Sequence, residues 1–222
     1  RRAAGSMGDD MLSVLVNLGM SDTAIRDQLM TMLVAGHDTT TAMLAWAFYL
    51  LGEHPDAVTQ AQAEIDAVLG DSVPDAENTQ LLPYLNALIN ETMRLYPPLH
   101  FGSRLAAADL EFNGYPIPKG TRVLYSIFLT HRHPDLWQQP DAFIPERWVS
   151  PVKAERPYYA YVPFGGGARM CIGAAFAQVE VRIVLARVLQ GFNLAKRGGA
   201  AHMHMGVTIE PRPGVPMSVQ RR

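Results

Sequence analysis

Residues Phe164 to Gly173, FGGGARMCIG, hold the only cysteine of the chain and run directly into a helix-patterned stretch from Ile172 to Leu189. This places Cys171 at the amino end of a helix, where free N–H groups and the macrodipole favour negative sulfur. Gly165, Gly166, Gly167 and Gly173 strip side chains from around it. A flat macrocycle can then approach the backbone, and glycine tolerates the positive φ of a tight loop. The segment reads as a device for presenting a thiolate to a metal.

Five residues of this loop, Phe164, Gly167, Arg169, Cys171 and Gly173, stand in the spacing F-x-x-G-x-R-x-C-x-G. That pattern resembles the cysteine-loop signature of the cytochrome P450 superfamily, the haem-thiolate monooxygenases. With average residue usage it would arise by chance on the order of once in ten million windows, so coincidence is set aside. The resemblance implies Cys171 as ligand to the iron of haem b (iron protoporphyrin IX), with Gly167 and Gly173 against the macrocycle. Phe164 corresponds to the aromatic that packs over the sulfur and shields it from water. The match maps to the carboxyl-terminal half of the family pattern, whose members are roughly twice as long and exceed the size of a typical single core.

Composition fits a folded enzyme piece: 222 residues, 48% hydrophobic, are enough for a substantial core. The net charge of -2 and the lack of a basic stripe with interleaved aromatics disfavour nucleic acid as a partner. One cysteine excludes an internal disulfide framework, a four-cysteine zinc site and an all-cysteine iron–sulfur cluster, and it fits the reducing cytosolic side of a cell. No signal-peptide pattern opens the sequence. The apolar stretch from Met30 to Leu51 is broken by Gly36-His37-Asp38-Thr39-Thr40-Thr41, which argues against a membrane span there. Membrane anchoring by any preceding segment is not legible.

Along the chain, Asp9 to Leu18 predicts a short helix closed by Gly19, and Ser21 or Asp22 offers the N-cap of a long helix running to about Leu51. Asp56 to Leu69 and Leu81 to Tyr96 are the next helices, stopped by Gly70 and by Pro97-Pro98, with Pro83 tolerable in a first turn. After residue 98 short alternating runs broken by Asn113-Gly114, Pro116, Pro118 and Lys119-Gly120 predict small antiparallel strands. Thr130 to Val162 reads as a long irregular segment, and Phe192 to Arg222 as strands with a turn around Pro211, Pro213 and Gly214. The expected fold is mainly α with small antiparallel β-sheets, helical over 1–97 and mixed over 98–222, as in the carboxyl-terminal portion of the cytochrome P450 fold.

Within the long helix, Ala35-Gly36-His37-Asp38-Thr39-Thr40 places polar groups where periodicity wants an apolar face, a local conflict typical of functional sites. Ala-Gly-x-Asp-Thr-Thr resembles the family's distal-helix motif, which implies a position over the haem face opposite the cysteine. Thr39 then corresponds to the alcohol beside bound dioxygen, and Asp38 to the acid that passes protons inward. Ala35 would border the substrate pocket.

Glu91 and Arg94 share a helical face at i,i+3 spacing. With Arg147 in Pro145-Glu146-Arg147-Trp148 they resemble the Glu-Arg-Arg network beneath the family's cysteine loop. Arg169 and Arg104 are candidates for the haem propionates, which arginine forks suit. By the same resemblance Leu99-His100-Phe101-Gly102 passes along the substrate pocket, with His100 and Phe101 as candidate contacts. His131-Arg132-His133-Pro134 is taken as structural. Arg182 and Arg187 are candidates for steering an acidic electron donor.

The implied activity is insertion of one atom of dioxygen into an apolar organic substrate, with electrons from NAD(P)H through a reductase, with or without a ferredoxin. A peroxygenase is the nearest competitor, and Asp38 and Thr39 speak against it because peroxide brings its own protons. A non-catalytic haem binder, or an inert fragment carrying half a pocket, is the alternative of a different class.

Overall fold

The computed structural model describes residues 8–149 and 156–222, so residues 150–155 of the expected irregular segment lie outside the described residues. Two compact units divide the chain, residues 1–39 and 40–222. In the first, helix α1 (Met11–Asn17) starts where the Asp10 carboxylate takes the Ser13 N–H at 2.9 Å, an N-cap that satisfies one of the free donors of the first turn. Helix α2 (Asp22–Glu53) opens in the same way, with Ser21 Oγ accepting from Ala24 N at 3.2 Å. It carries the chain into the second unit.

There the apolar spacing of the second half of α2 builds the core. Met43, Ala47 and Leu51 recur every four residues and meet Val58, Ala61 and Ile65 of α3 (Pro55–Val68). Leu85, Leu88 and Ile89 of α4 (Pro83–Leu95) and Val181, Leu185 and Leu189 of α6 (Ala174–Gly191) complete the cluster. Each of these leucines, fully buried, contributes about 1.5–3 kcal/mol relative to exposure. Trp46 lies flat on Tyr96, ring centroids 3.6 Å apart, and its Nε1 donates to the Ile209 carbonyl at 3.0 Å.

Helix α4 begins at Pro83, whose missing N–H costs nothing in a first turn. The next two amides would be free, and Glu64 of α3 takes both: its carboxylate oxygens accept from Tyr84 N at 2.8 Å and Leu85 N at 2.9 Å. A carboxylate at this end also suits the helix dipole.

Strand structure consists of two-stranded antiparallel ribbons. They are β1 (Phe101–Leu105) with β4 (Arg122–Ser126), β2 (Leu110–Phe112) with β3 (Tyr115–Ile117), β5 (Phe192–Lys196) with β8 (Met217–Arg221), and β6 (His202–Met205) with β7 (Ile209–Arg212). Asn113 and Gly114 join Phe112 to its partner Tyr115 with φ of 51° and 81°, the two-residue turn whose hand matches strand twist. A short helix α5 (Ile127–Thr130) follows β4. One expectation is corrected here: Pro211 sits inside β7, paired with Met203, and the turn begins only at Pro213. A ribbon of two edge strands has ladder positions where no N–H is needed, so proline is accommodated. Among the described residues no helix is long and apolar enough to cross a membrane.

Candidate functional site

Helix α6 starts at Ala174, two residues later than the periodicity suggested, because Ile172 and Gly173 turn the chain into it. Cys171 therefore stands just ahead of the helix, with its carbonyl accepting from Ala174 N at 3.4 Å. The loop is closed by backbone: Cys171 N donates to the Phe164 carbonyl at 2.9 Å and Gly165 N to Val162 at 2.9 Å. Gly165 and Gly167 have φ of +71° and +70°, which only glycine adopts without strain. A Cβ on Gly166 would stand 2.8 Å from the Tyr159 ring, and one on Gly173 3.8 Å from the cysteine sulfur. The Cys171 thiol is exposed, and Met170, Ile172 and Phe176 around it are exposed apolar side chains. Phe164 packs its ring against the main core, while its carbonyl closes the cysteine loop.

Arg169 lies in the 3-10 turn Gly167–Arg169. It lines one cavity of 380 Å³ with Ser103, Arg104, Leu105 and Arg122. The structure thus brings together Arg104 and Arg169, the two arginines singled out for an anionic group, and adds Arg122, which sequence reasoning missed. Arg104 Nη1 donates to the Ser103 carbonyl at 2.8 Å, and its guanidinium lies 5.5 Å from the Tyr125 ring centre. No carboxylate among the described residues pairs with any of the three. A thiol in a glycine loop beside a cavity of unneutralised guanidiniums matches the donor set that a haem requires: one soft iron ligand and forks for two propionates.

Beneath the loop, Glu91 and Arg94 are both wholly buried on α4. Arg94 Nε and Nη2 reach the two Glu91 oxygens at 2.9 and 2.8 Å, a bidentate pair. The other Arg94 donors go to the carbonyls of His131, Pro140 and Ala142. Glu91 accepts further from Arg147 Nε at 3.0 Å, Ile144 N at 3.0 Å and Trp148 Nε1 at 2.8 Å. Buried charge is tolerated because every lone pair and proton has a partner.

This network continues into the loop through His131 and Tyr161. The wholly buried His131 accepts from Val162 N at 2.8 Å through Nε2, two residues before Phe164, and its ring stacks on Tyr161 at 5.1 Å. Burial pushes its pKa down to about 3, helped by the Arg94 charge and opposed by the Met93 backbone, so the ring is neutral and the acceptor nitrogen stays free of a proton. Tyr161 Oη donates to the Asn90 carbonyl at 3.2 Å, and burial raises its pKa. Trp148, His131 and Tyr161 acquire these roles by long-range contact, which the sequence does not display.

Asp38 and Thr39 belong to the unit of residues 1–39, where their contacts are local to α2. Thr39 Oγ1 donates back to the Ala35 carbonyl at 2.8 Å, and the exposed Asp38 carboxylate sits 2.9 Å from His37 Nδ1. Ala35 is exposed on the same stretch. In the other unit His100 sits ahead of β1 with its ring edge-on to the exposed Phe101 at 4.8 Å, and its buried Nδ1 has no hydrogen-bond partner among the described residues. Arg182 turns toward Asn86 at 3.5 Å, whereas Arg187 is exposed and bonds Gln190 at 2.9 Å.

A family model described as Cytochrome P450 matches residues 9–214. The chain is 37% identical over 201 residues to a cyclooctat-9-en-7-ol 5-monooxygenase of Streptomyces melanosporofaciens, covering 87% of this chain and 44% of that protein. It is 41% identical over 176 residues to cytochrome P450 3A13 of Mus musculus, covering 79% and 35% respectively. The solved haem domain of cytochrome P450DA superposes on all of this chain with a TM-score of 0.93 at 36% identity, over 51% of its own length. The chain spans about half, or less, of the length of these relatives.

Proposed function

Because the chain belongs to the cytochrome P450 family, we propose that the protein is a haem-thiolate monooxygenase that inserts one atom of dioxygen into a small apolar organic substrate and reduces the other to water. The observation that carries this reading is Cys171 in its glycine loop, with Arg169 of the same loop lining an arginine cavity. When bound, haem b supplies the iron at which dioxygen is activated. Cys171 offers the thiolate, the ligand type that pushes electron density toward iron in this family. Arg104 and Arg169 hold the propionates by charge-assisted hydrogen bonds. The Glu91-Arg94-Arg147 network fixes the floor of the loop, and His131 pins its entry at Val162.

Asp38 and Thr39 form the proton relay of this reading: the exposed Asp38 carboxylate exchanges protons with water, and Thr39 Oγ1, once rotated away from the Ala35 carbonyl, donates onward. His100 and Phe101 border the substrate. Electrons come from NAD(P)H through a reductase, with or without a ferredoxin, on the cytosolic side. The name of the Streptomyces relative, a monooxygenase, supports the reaction class.

The test is the carbon monoxide difference spectrum of the reduced, haem-loaded protein. Thiolate ligation gives a strongly red-shifted Soret band, and Cys171→Ser abolishes it. A histidine-type band in the wild type, or an unchanged band in the serine variant, overturns the assignment.

A further inference from the structure

We infer that Arg122 is a third anion-holding residue of the cavity formed by Arg104 and Arg169, and that it grips a carboxylate at the propionate edge of the cofactor. The inference rests on the haem-thiolate reading above and deepens it. In the β1–β4 ribbon Arg122 stands opposite Leu105, while Arg104 stands opposite Val123. Strand alternation starts the two arginines from opposite faces of the ribbon, yet both line the same cavity. The cavity therefore meets guanidiniums that the pleat alone would have kept apart.

Ser103 organises the pair. Its carbonyl accepts from Arg104 Nη1 at 2.8 Å and its Oγ accepts from Arg122 Nη1 at 3.2 Å. Each fork is steadied by one bond and keeps further N–H donors for an anion. Three exposed guanidiniums line 380 Å³ with no carboxylate partner among the described residues, and the positive potential they sum to there favours an anion. One carboxylate can take bonds from two arginines, as Glu91 does from Arg94 and Arg147, but it brings a single negative charge to three cations, whereas a dianionic edge brings two charges and twice the acceptors. The chemistry of the cavity thus fits two carboxylates better than one.

The experiment measures the rate of haem transfer from the loaded protein to excess apomyoglobin, for the wild type, Arg122→Gln and Arg122→Lys. In parallel, each protein is loaded with iron protoporphyrin IX dimethyl ester, whose propionates carry no charge. Losing one charge-assisted contact at a partly solvated site predicts haem loss about three- to tenfold faster in Arg122→Gln, with the lysine variant between. The ester is expected to leave all three proteins at one rate, and the red-shifted carbon monoxide band stays in place. Unchanged haem loss in Arg122→Gln, or equal acceleration for haem and ester, overturns the role of Arg122 while leaving the thiolate reading intact. A wild type without the red-shifted band sinks the parent reading, and the proposal with it.

Discussion

Replacing Arg94 by alanine removes the residue on which the buried network under the cysteine loop converges. The guanidinium satisfies both Glu91 oxygens and the carbonyls of His131, Pro140 and Ala142, and both partners of the ion pair are wholly buried. Without it Glu91 keeps its bonds from Ile144, Arg147 and Trp148 and has nothing at the position of the fork. Breaking such a pair costs about 3–5 kcal/mol. A domain is stable by only about 5–15 kcal/mol, so much of the folded population at 37 °C is at risk. The exposed pair Arg26–Asp27, with side chains 69% and 60% accessible, provides the contrast, since its loss costs about 0–1 kcal/mol. Urea unfolding followed by tryptophan fluorescence, with Trp137 and Trp148 beside the network, reads the stability, and absorbance reads haem per chain. We expect a drop of about 3–5 kcal/mol at constant m-value and little haem uptake. Arg94→Lys should fall between, because it restores charge without the fork. An alanine variant within about 1 kcal/mol of wild type and fully loaded with haem would refute the argument that the network is a sealed, interdependent unit.

The neutral, buried His131 makes stability pH-dependent: its folded pKa of about 3 lies below the ordinary 6.5, so the unfolded chain binds the extra proton between those values and stability falls as pH drops through that window. Urea midpoints should register a loss of about 2 kcal/mol from this group between pH 7 and 5, and His131→Gln, which does not titrate, should flatten that limb; an identical slope in the variant contradicts the assignment. Thr39→Ala is expected to divert reducing equivalents to hydrogen peroxide, measured as peroxide per NAD(P)H consumed, and an unchanged yield of product per electron pair counts against the relay. Gly52→Ala pits a helix gain of about 0.5–1 kcal/mol against a new Cβ placed 2.8 Å from Lys196 Cβ and 3.3 Å from Met217 Cε. The Lys196 contact lies next to the backbone and yields little, so thermal unfolding should show a net loss of about 1–2 kcal/mol, and a rise in Tm would show that the ribbon shifts freely.

Signals of local origin were readable in the chain. Asn113-Gly114 demands a two-residue turn, Ser21 caps α2 and Pro83 opens α4, because each acts through its own backbone within a few residues. The i,i+3 spacing of Glu91 and Arg94 announced a shared face, but nothing in it told that the pair is wholly buried or that Trp148 and the Ile144 amide join it. Arg122 was invisible for the same reason: only the register of β4 on β1 brings it to Ser103. Pro211 misled because proline usually ends strands, and a two-stranded ribbon has positions that forgive it.

Glu64 closes the first turn of α4 from a neighbouring helix, and this makes the two helices report on each other. In a hydrogen-exchange experiment the Tyr84 and Leu85 amides are protected only while α3 stays docked. Should α3 fray or lift, those two protons trade with water although α4 keeps its own ladder of bonds. The start of the helix that carries Glu91 and Arg94 is thus a remote gauge of its neighbour, and a slackening in α3 reaches the floor of the cysteine loop as lost cooperativity rather than as any visible displacement.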